Sequence, residues 1–155
     1  MSEIEIQVVR YDSPVAQRLV TAALADLGAR YGGPGDETPV DVAEFEPPAG
    51  AFLVAYLDGQ PVGCGGWRSH GEGGDTAELK RMYTAEAARG RGVARTVLAA
   101  VEQSARDHGR NRIILECGNK QPEAIAMYRS GGYQRIENFG FYRDAPDCVS
   151  FGRSL

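Results

Sequence analysis

Ile4, Ile6 and Val8 alternate with polar residues, the period of a strand with one buried face. Asp12 or Ser13 can cap a following helix, with Pro14 in its first turn. Val15, Leu19, Ala22, Ala23 and Leu27 recur at helical spacing until Gly32-Gly33-Pro34-Gly35 stops the pattern. Residues 32–50 then show little periodicity. Apolar runs resume at Phe52–Leu57 and Pro61–Trp67, and Asp58-Gly59 between them reads as a two-residue hairpin turn. Gly63, Gly65 and Gly66 in the returning strand predict a bulge or a close backbone approach. His70–Asp75 is a loop, and Ala77–Thr84 is the next strand. Val93, Val97, Leu98, Val101 and Ala105 form one apolar stripe, so residues 93–107 are a helix that Gly109 closes. Arg112–Cys117 follows, and its run Ile113-Ile114-Leu115 predicts a strand covered on both faces. Pro122 opens a helix that Gly131 ends, Tyr133 begins a strand, and Cys148–Phe151 forms the last one. The order β-α-loop-β-β-β-α-β-α-β-β predicts a mixed α/β fold: a central, mostly antiparallel sheet with helices on both faces.

Composition narrows the class. A chain of 155 residues is one domain, here 1–155, and it carries no internal repeat. With 43% hydrophobic and 25% charged residues it has the makings of a packed core, which argues against wholesale disorder. No run of 18 apolar residues predicts a membrane helix. The opening Met1-Ser2-Glu3-Ile4-Glu5-Ile6 is acidic and lacks the basic start and apolar stretch of a leader, so a cytoplasmic protein is expected. The balance of 17 basic to 21 acidic residues, a net charge of −4, argues against a nucleic-acid partner. Cys64, Cys117 and Cys148 are too scattered for a disulfide framework or a zinc spacing and read as small buried hydrophobes. His70 and His108 lie far apart, so neither a metal site nor a serine–histidine hydrolase is expected.

The segment Glu78–Tyr133 carries the chemistry. Between the strand ending near Thr84 and the helix at 93 stands Arg89-Gly90-Arg91-Gly92-Val93-Ala94. Glycines at a helix start leave N–H groups unpaired and unshielded, and the helix dipole favours a phosphate there. Lys80, Arg81, Arg89, Arg91 and Arg95 surround this turn in sequence, which points to an anionic ligand. The Gly-x-x-x-x-Gly-Lys-Ser/Thr loop of ATP and GTP binders is absent. Three strands precede the turn, so it is not the first βα turn of a dinucleotide fold. The residues alone leave the anion unnamed.

Arg89-x-x-Gly92-x-Ala94 resembles the Arg/Gln-x-x-Gly-x-Gly/Ala signature of the GNAT N-acetyltransferase family. Ala77–Thr84 is similar to that family's fourth strand. Gln121–Tyr133 is similar to its later motif, Asn-x-x-Ala-x-x-x-Tyr-x-x-x-Gly-Phe/Tyr. The likeness is loose over 52–142 and close over 77–133. It implies acetyl transfer from acetyl-coenzyme A to an amine, with splayed fourth and fifth strands around the thioester. By that resemblance the turn residues Arg89, Gly90, Arg91, Gly92, Val93, Ala94 and Arg95 hold the pyrophosphate. Met82, Tyr83 and Thr84 pair with the pantetheine arm. Gln121 stands where the family often has Asn, and Asn119 lies two positions earlier; either amide could contact the coenzyme.

Tyr128 is the candidate general acid, because a phenol can donate a proton to the departing thiolate. The alternative is a core tyrosine beside Ala124 and Ile125. Glu78 is the candidate general base, eleven residues before Arg89 as in some family members. Its alternative is a surface carboxylate paired with Lys80, and Glu116 is the rival base. The leading expectation is a small-molecule N-acetyltransferase working through a ternary complex, without a metal or a cysteine nucleophile. Acetylation of a protein lysine or N-terminus, and a non-catalytic acyl-coenzyme A sensor, are the alternatives; a homodimer is left open. Asp36, Glu37, Asp41, Glu44 and Glu46 in the long segment read either as a solvated loop with a short helix near 41–45 or as an acidic wall beside the acceptor. The second reading predicts an acceptor with positive charge beyond its reacting amine, or at least no net negative charge.

Overall fold

The computed structural model describes residues 3–155, so Met1 and Ser2 of the stretch read for a leader lie outside it. The elements follow the predicted order: β1 (Ile4–Val9), α1 (Pro14–Tyr31), β2 (Gly50–Leu57), β3 (Gln60–His70), β4 (Thr76–Thr84), α2 (Val93–Asp107), β5 (Arg112–Gly118), α3 (Pro122–Ser130), β6 (Gln134–Ile136) and β7 (Cys148–Ser154). Ser13 caps α1 by accepting from Ala16 N–H at 3.4 Å. Asp58 and Gly59 both take positive φ, 52° and 78°, as a primed two-residue hairpin turn requires. The short helix expected near 41–45 is a single 3-10 turn, Val42–Phe45.

The sheet runs β1-β2-β3-β4-β5-β7-β6. Every neighbouring pair is antiparallel except β4 and β5. That parallel pair needs a crossover, and α2 supplies it. One face of the sheet packs Trp67, Leu79, Val97, Val101, Ile113 and Leu115 in a buried cluster that also takes in Tyr128 of α3. The other face packs Leu19 and Val20 of α1 against Phe45, Phe52, Val54 and Cys64. Ile113, Ile114 and Leu115 are all buried, as a strand covered on both faces demands.

The β3 glycines let α2 lie close on the sheet. A Cβ at Gly65 would stand 2.5 Å from Met82 Sδ and 3.0 Å from Val97 Cγ1; one at Gly63 would stand 2.7 Å from Val93 Cγ1. The β3–β4 register shifts between Cys64 and Gly66, and across from it Arg81 takes φ +61°. This is the predicted bulge, but its left-handed residue is an arginine of β4, a conformation that costs about 1–2 kcal/mol.

Parallel pairing of β4 with β5 covers three positions only: Thr76 with Arg112, Ala77 with Ile113 and Glu78 with Ile114. Beyond them β5 pairs with β7 as far as Gly118, while β4 continues from Leu79 to Thr84 without it. The two strands therefore splay. No helix among the described residues is long and apolar enough to cross a membrane.

Candidate active site

A cleft of about 300 Å³ opens where β4 and β5 part. Leu24 and Leu27 of α1 line it on one side, Met82 and Tyr83 of β4 and Cys117 of β5 on others, with Tyr142 from the β6–β7 loop. Tyr128 of α3 also lines it. The Tyr128 ring is buried 5.5 Å from that of Tyr133, and its hydroxyl has no hydrogen-bond partner among the described residues. Burial raises its pKa, so the phenol keeps its proton.

The glycine turn is outside the cleft lining and is linked to it through Arg89. Gly90 and Gly92 take φ +80° and +82°, and Gly92 is the N-cap of α2, with no side chain to satisfy the first N–H groups. Arg89 Nε donates to the Thr84 carbonyl at 3.1 Å, and its guanidinium lies 3.6 Å from Asp26, which borders the cleft. Arg95 donates to Ser130 Oγ at 2.9 Å, tying α2 to α3. Val93 is buried beneath Gly63 and anchors the helix start.

The floor is a row of alternating charges. Arg81 and Lys80 both bond Asp36 Oδ2, Lys80 at 3.1 Å, and Lys80 Nζ lies 3.7 Å from Glu116 Oε1. Burial pushes the Asp36 carboxyl up, but Lys80, the bonds from Thr38 and Arg81 outweigh it and hold the group at about 2. Glu116 is shifted the other way: burial raises its pKa, Lys80 opposes this, and the charges of Glu78 and Asp36 add to it. Its Oε2 is buried and has no hydrogen-bond partner among the described residues.

The family model described as "Acetyltransferase (GNAT) family" matches residues 16–133. The chain belongs to the GNAT acetyltransferase family. It is 38% identical over 111 residues to an IAA acetyltransferase of Azospirillum brasilense, covering 72% of this chain and 71% of that one. A Klebsiella pneumoniae crystal structure named for an acyl-CoA N-acyltransferase superposes with a TM-score of 0.81 at 28% identity, over 98% of this chain and 97% of that one. A GNAT acetyltransferase of Elizabethkingia anophelis, solved with acetyl-CoA bound, shares the fold at TM-score 0.70 and 15% identity, over 98% of each chain.

Within this GNAT fold the expected residues divide. Met82, Tyr83, Gln121 and Tyr128 line the cleft; Thr84, Asn119 and residues 89–95 stand outside it. Of the two candidate amides, Gln121 therefore faces the cleft, as the N-cap of α3. Glu78 does not line the cleft, and the ion pair read for it with Lys80 is not formed. Glu78 is buried and accepts from Arg68 Nε at 3.0 Å, while Lys80 turns to Asp36. Lys80 and Arg81 likewise leave the turn, because the bulge sends both toward α1 and the long loop.

The acidic segment is largely used elsewhere. Asp41 caps the 3-10 turn in a capping box with Glu44, Glu44 also pairs with Arg68 at 3.2 Å, and Glu46 pairs with Arg10 at 2.8 Å. Among the segment's five acids only Asp36 reaches the cleft, and there it is bound by two cations. The acidic wall is thus a set of loop fastenings. Asp36 reads in sequence only as one of five acids in the segment, and the convergence of Lys80 and Arg81 on it has no sequence signal, since nothing in the run Leu79–Met82 marks a non-glycine bulge.

Proposed function

We propose that the chain transfers acetyl from acetyl-coenzyme A to the amine of a small molecule, with both substrates bound at once and no covalent enzyme intermediate. The observation that carries this reading is the free edge of β4. From Leu79 to Tyr83 the strand has β3 on one side and the cleft on the other. An extended ligand arm can pair with that edge as an added strand would. The uncapped start of α2 beyond it suits a pyrophosphate. These features fit the coenzyme that the Elizabethkingia neighbour binds. A cleft of about 300 Å³ is at the lower end of the range for small-molecule sites, which supports a small acceptor.

The coenzyme supplies a thioester as acetyl donor. The remaining roles fall to side chains. Glu116 is the base that the geometry favours over Glu78, since Glu116 lines the cleft while Glu78 does not, and its Oε2 has no hydrogen-bond partner among the described residues. Its raised pKa suits it to take one proton from the acceptor's ammonium form. Tyr128 donates its phenol proton to the departing sulfur, and the proton shed by the nitrogen as the amide forms restores it. Cys117 lines the same cleft, but burial pushes its thiol up to about 12, so it stays protonated and leaves attack to the amine. Free cysteines accord with a reducing, cytoplasmic setting.

Calorimetry with acetyl-coenzyme A, then thiol release with a panel of amines and peptides, tests the proposal. Saturable release with small amines is expected. Binding without release from any acceptor would make the protein a coenzyme sensor, and release with peptides alone would make it a protein acetyltransferase.

A further inference from the structure

We infer that the acceptor is an α- or β-amino acid, its amine meeting Glu116 and its own carboxylate meeting Lys80 and Arg81. This rests on acetyl transfer in the cleft as proposed above.

In a regular strand Lys80 and Arg81 would point to opposite faces. The left-handed conformation at Arg81 breaks that alternation and brings both to one carboxylate oxygen of Asp36. Their side chains are only 4% and 6% exposed. Their donors outnumber their partners, for a guanidinium has five N–H groups and an ammonium three. Arg81 uses Nε on the Tyr11 hydroxyl and Nη1 on Asp36, while its Nη2 has no acceptor among the described residues. Lys80 makes one hydrogen bond, to Asp36, with Glu116 beyond bonding distance at 3.7 Å. Both cations line the cleft.

The charge balance points the same way. Arg81, Asp36, Lys80 and Glu116 alternate in sign, and Glu78 beside them is matched by Arg68. Asp26 at the rim is held by Arg30 and Arg89, and Asp147 on the β7 side is part-exposed to water, which screens its charge from the buried row. Once Glu116 takes a proton from the amine, the row holds two cations and one anion away from water. A carboxylate on the acceptor restores the balance, whereas a second ammonium would worsen it. The short step from Glu116 to Lys80 places the amine and carboxylate ends near each other, as in an α- or β-amino acid. Of the two forms of the expectation drawn from the acidic segment, this inference departs from extra positive charge and keeps, for an uncharged side chain, the absence of net negative charge.

The test compares each amino acid with its amide and its decarboxylated amine, by kcat/KM for thiol release at equal concentrations of neutral amine. The acid should exceed both by roughly 10–100-fold, the worth of a hydrogen bond to a charged group. Arg81→Gln should bring that ratio toward one, while Asp36→Asn should keep it. Should Arg81→Gln not fold, the wild-type ratio still decides. Amides or decarboxylated amines that react as well as acids overturn the inference and leave acetyl transfer standing. An Arg81→Gln enzyme with the full preference overturns the assignment to these side chains. Thiol release from no amine at all, with acetyl-coenzyme A bound, overturns the transferase reading, and this inference falls with it.

Discussion

Arg68 Nε donates to Glu78 Oε1 at 3.0 Å, and the same guanidinium reaches Glu44 at 3.2 Å. One arginine thus joins β3, β4 and the 3-10 turn of the long loop. Arg68 Nη1 also donates to the Pro39 carbonyl at 2.9 Å. Glu78, read from sequence as a candidate base, is thus tied through Arg68 to the long loop.

This division predicts opposite results for two glutamates. Glu78→Gln should lower stability by about 3 kcal/mol, because it leaves Arg68 with only the half-exposed Glu44 as an ionic partner. Glu116→Gln should instead lower kcat by at least 10²-fold, with melting temperature and acetyl-coenzyme A affinity held. In the wild type kcat/KM should rise with pH through the raised pKa of Glu116, because the base must be ionised. The Gln variant should lose that limb. A full limb in Glu116→Gln would return the role to Glu78 or to water.

Asp36 makes a prediction about acid stability. Its folded pKa of about 2 lies below the unfolded value near 3.8, so the unfolded chain binds the proton more readily. Its contribution is present above pH 3.8 and is lost as pH falls through the window down to about 2. A shift of that size corresponds to about 2 kcal/mol. The stability gap between wild type and Asp36→Asn, measured by urea unfolding, should therefore shrink by about that amount from pH 5 to pH 2. A constant gap would mean that Asp36 is not held by Lys80 and Arg81.

The legible parts of this molecule are those governed by short-range rules. Periodicity gave α2 to the residue, because one stripe from Val93 to Ala105 faces one sheet. The three β3 glycines announced a close approach, since a side chain there would collide with Val93, Met82 or Phe52. Strand ends were less legible: β3 runs on to His70 and β7 to Ser154 because pairing with neighbours, not local preference, carries them. The ionic floor was not legible at all. Asp36 lies 44 residues before Lys80 in sequence, and charge sign alone cannot say which of five acids in a loop meets which cation. In sequence Glu78 reads as a base or as a surface carboxylate beside Lys80; it is buried instead, and its partner Arg68 lies on the neighbouring strand, outside any local motif.

The turn at the start of α2 yields a prediction that separates strain from shielding. Gly92 has φ +82° with nothing within 4 Å of a Cβ, so space does not forbid a side chain there. Gly92→Val should cost about 1–2 kcal/mol of stability through the left-handed backbone. It should also weaken acetyl-coenzyme A binding at least tenfold by covering the N–H groups. Gly92→Asn tolerates the conformation better, but its amide oxygen can cap those same donors. Its stability should recover while its coenzyme affinity stays low. Calorimetry showing wild-type affinity in both variants would move the pyrophosphate away from this turn.

Tyr128 supplies the sharpest test of the chemical step. Its ring is packed in the core against Tyr133, while the residue also lines the cleft and its hydroxyl has no hydrogen-bond partner among the described residues. Tyr128→Phe removes only the oxygen. The ring keeps its contacts, and no hydrogen bond within the described residues is lost, so the melting temperature should change little. Acetyl-coenzyme A affinity should hold as well. The leaving thiolate loses its proton donor, and general acid assistance is worth typically 10²–10⁴-fold, so a drop in kcat of that order is expected. Burial raises the phenol's pKa, so the hydroxyl should stay protonated across the neutral range and impose no alkaline fall of its own there. The readout is single-turnover acetyl transfer with coenzyme and acceptor saturating, which isolates chemistry from product release. Wild-type transfer by Tyr128→Phe under those conditions would leave Tyr128 with its packing role alone, and protonation of the thiolate would pass to solvent.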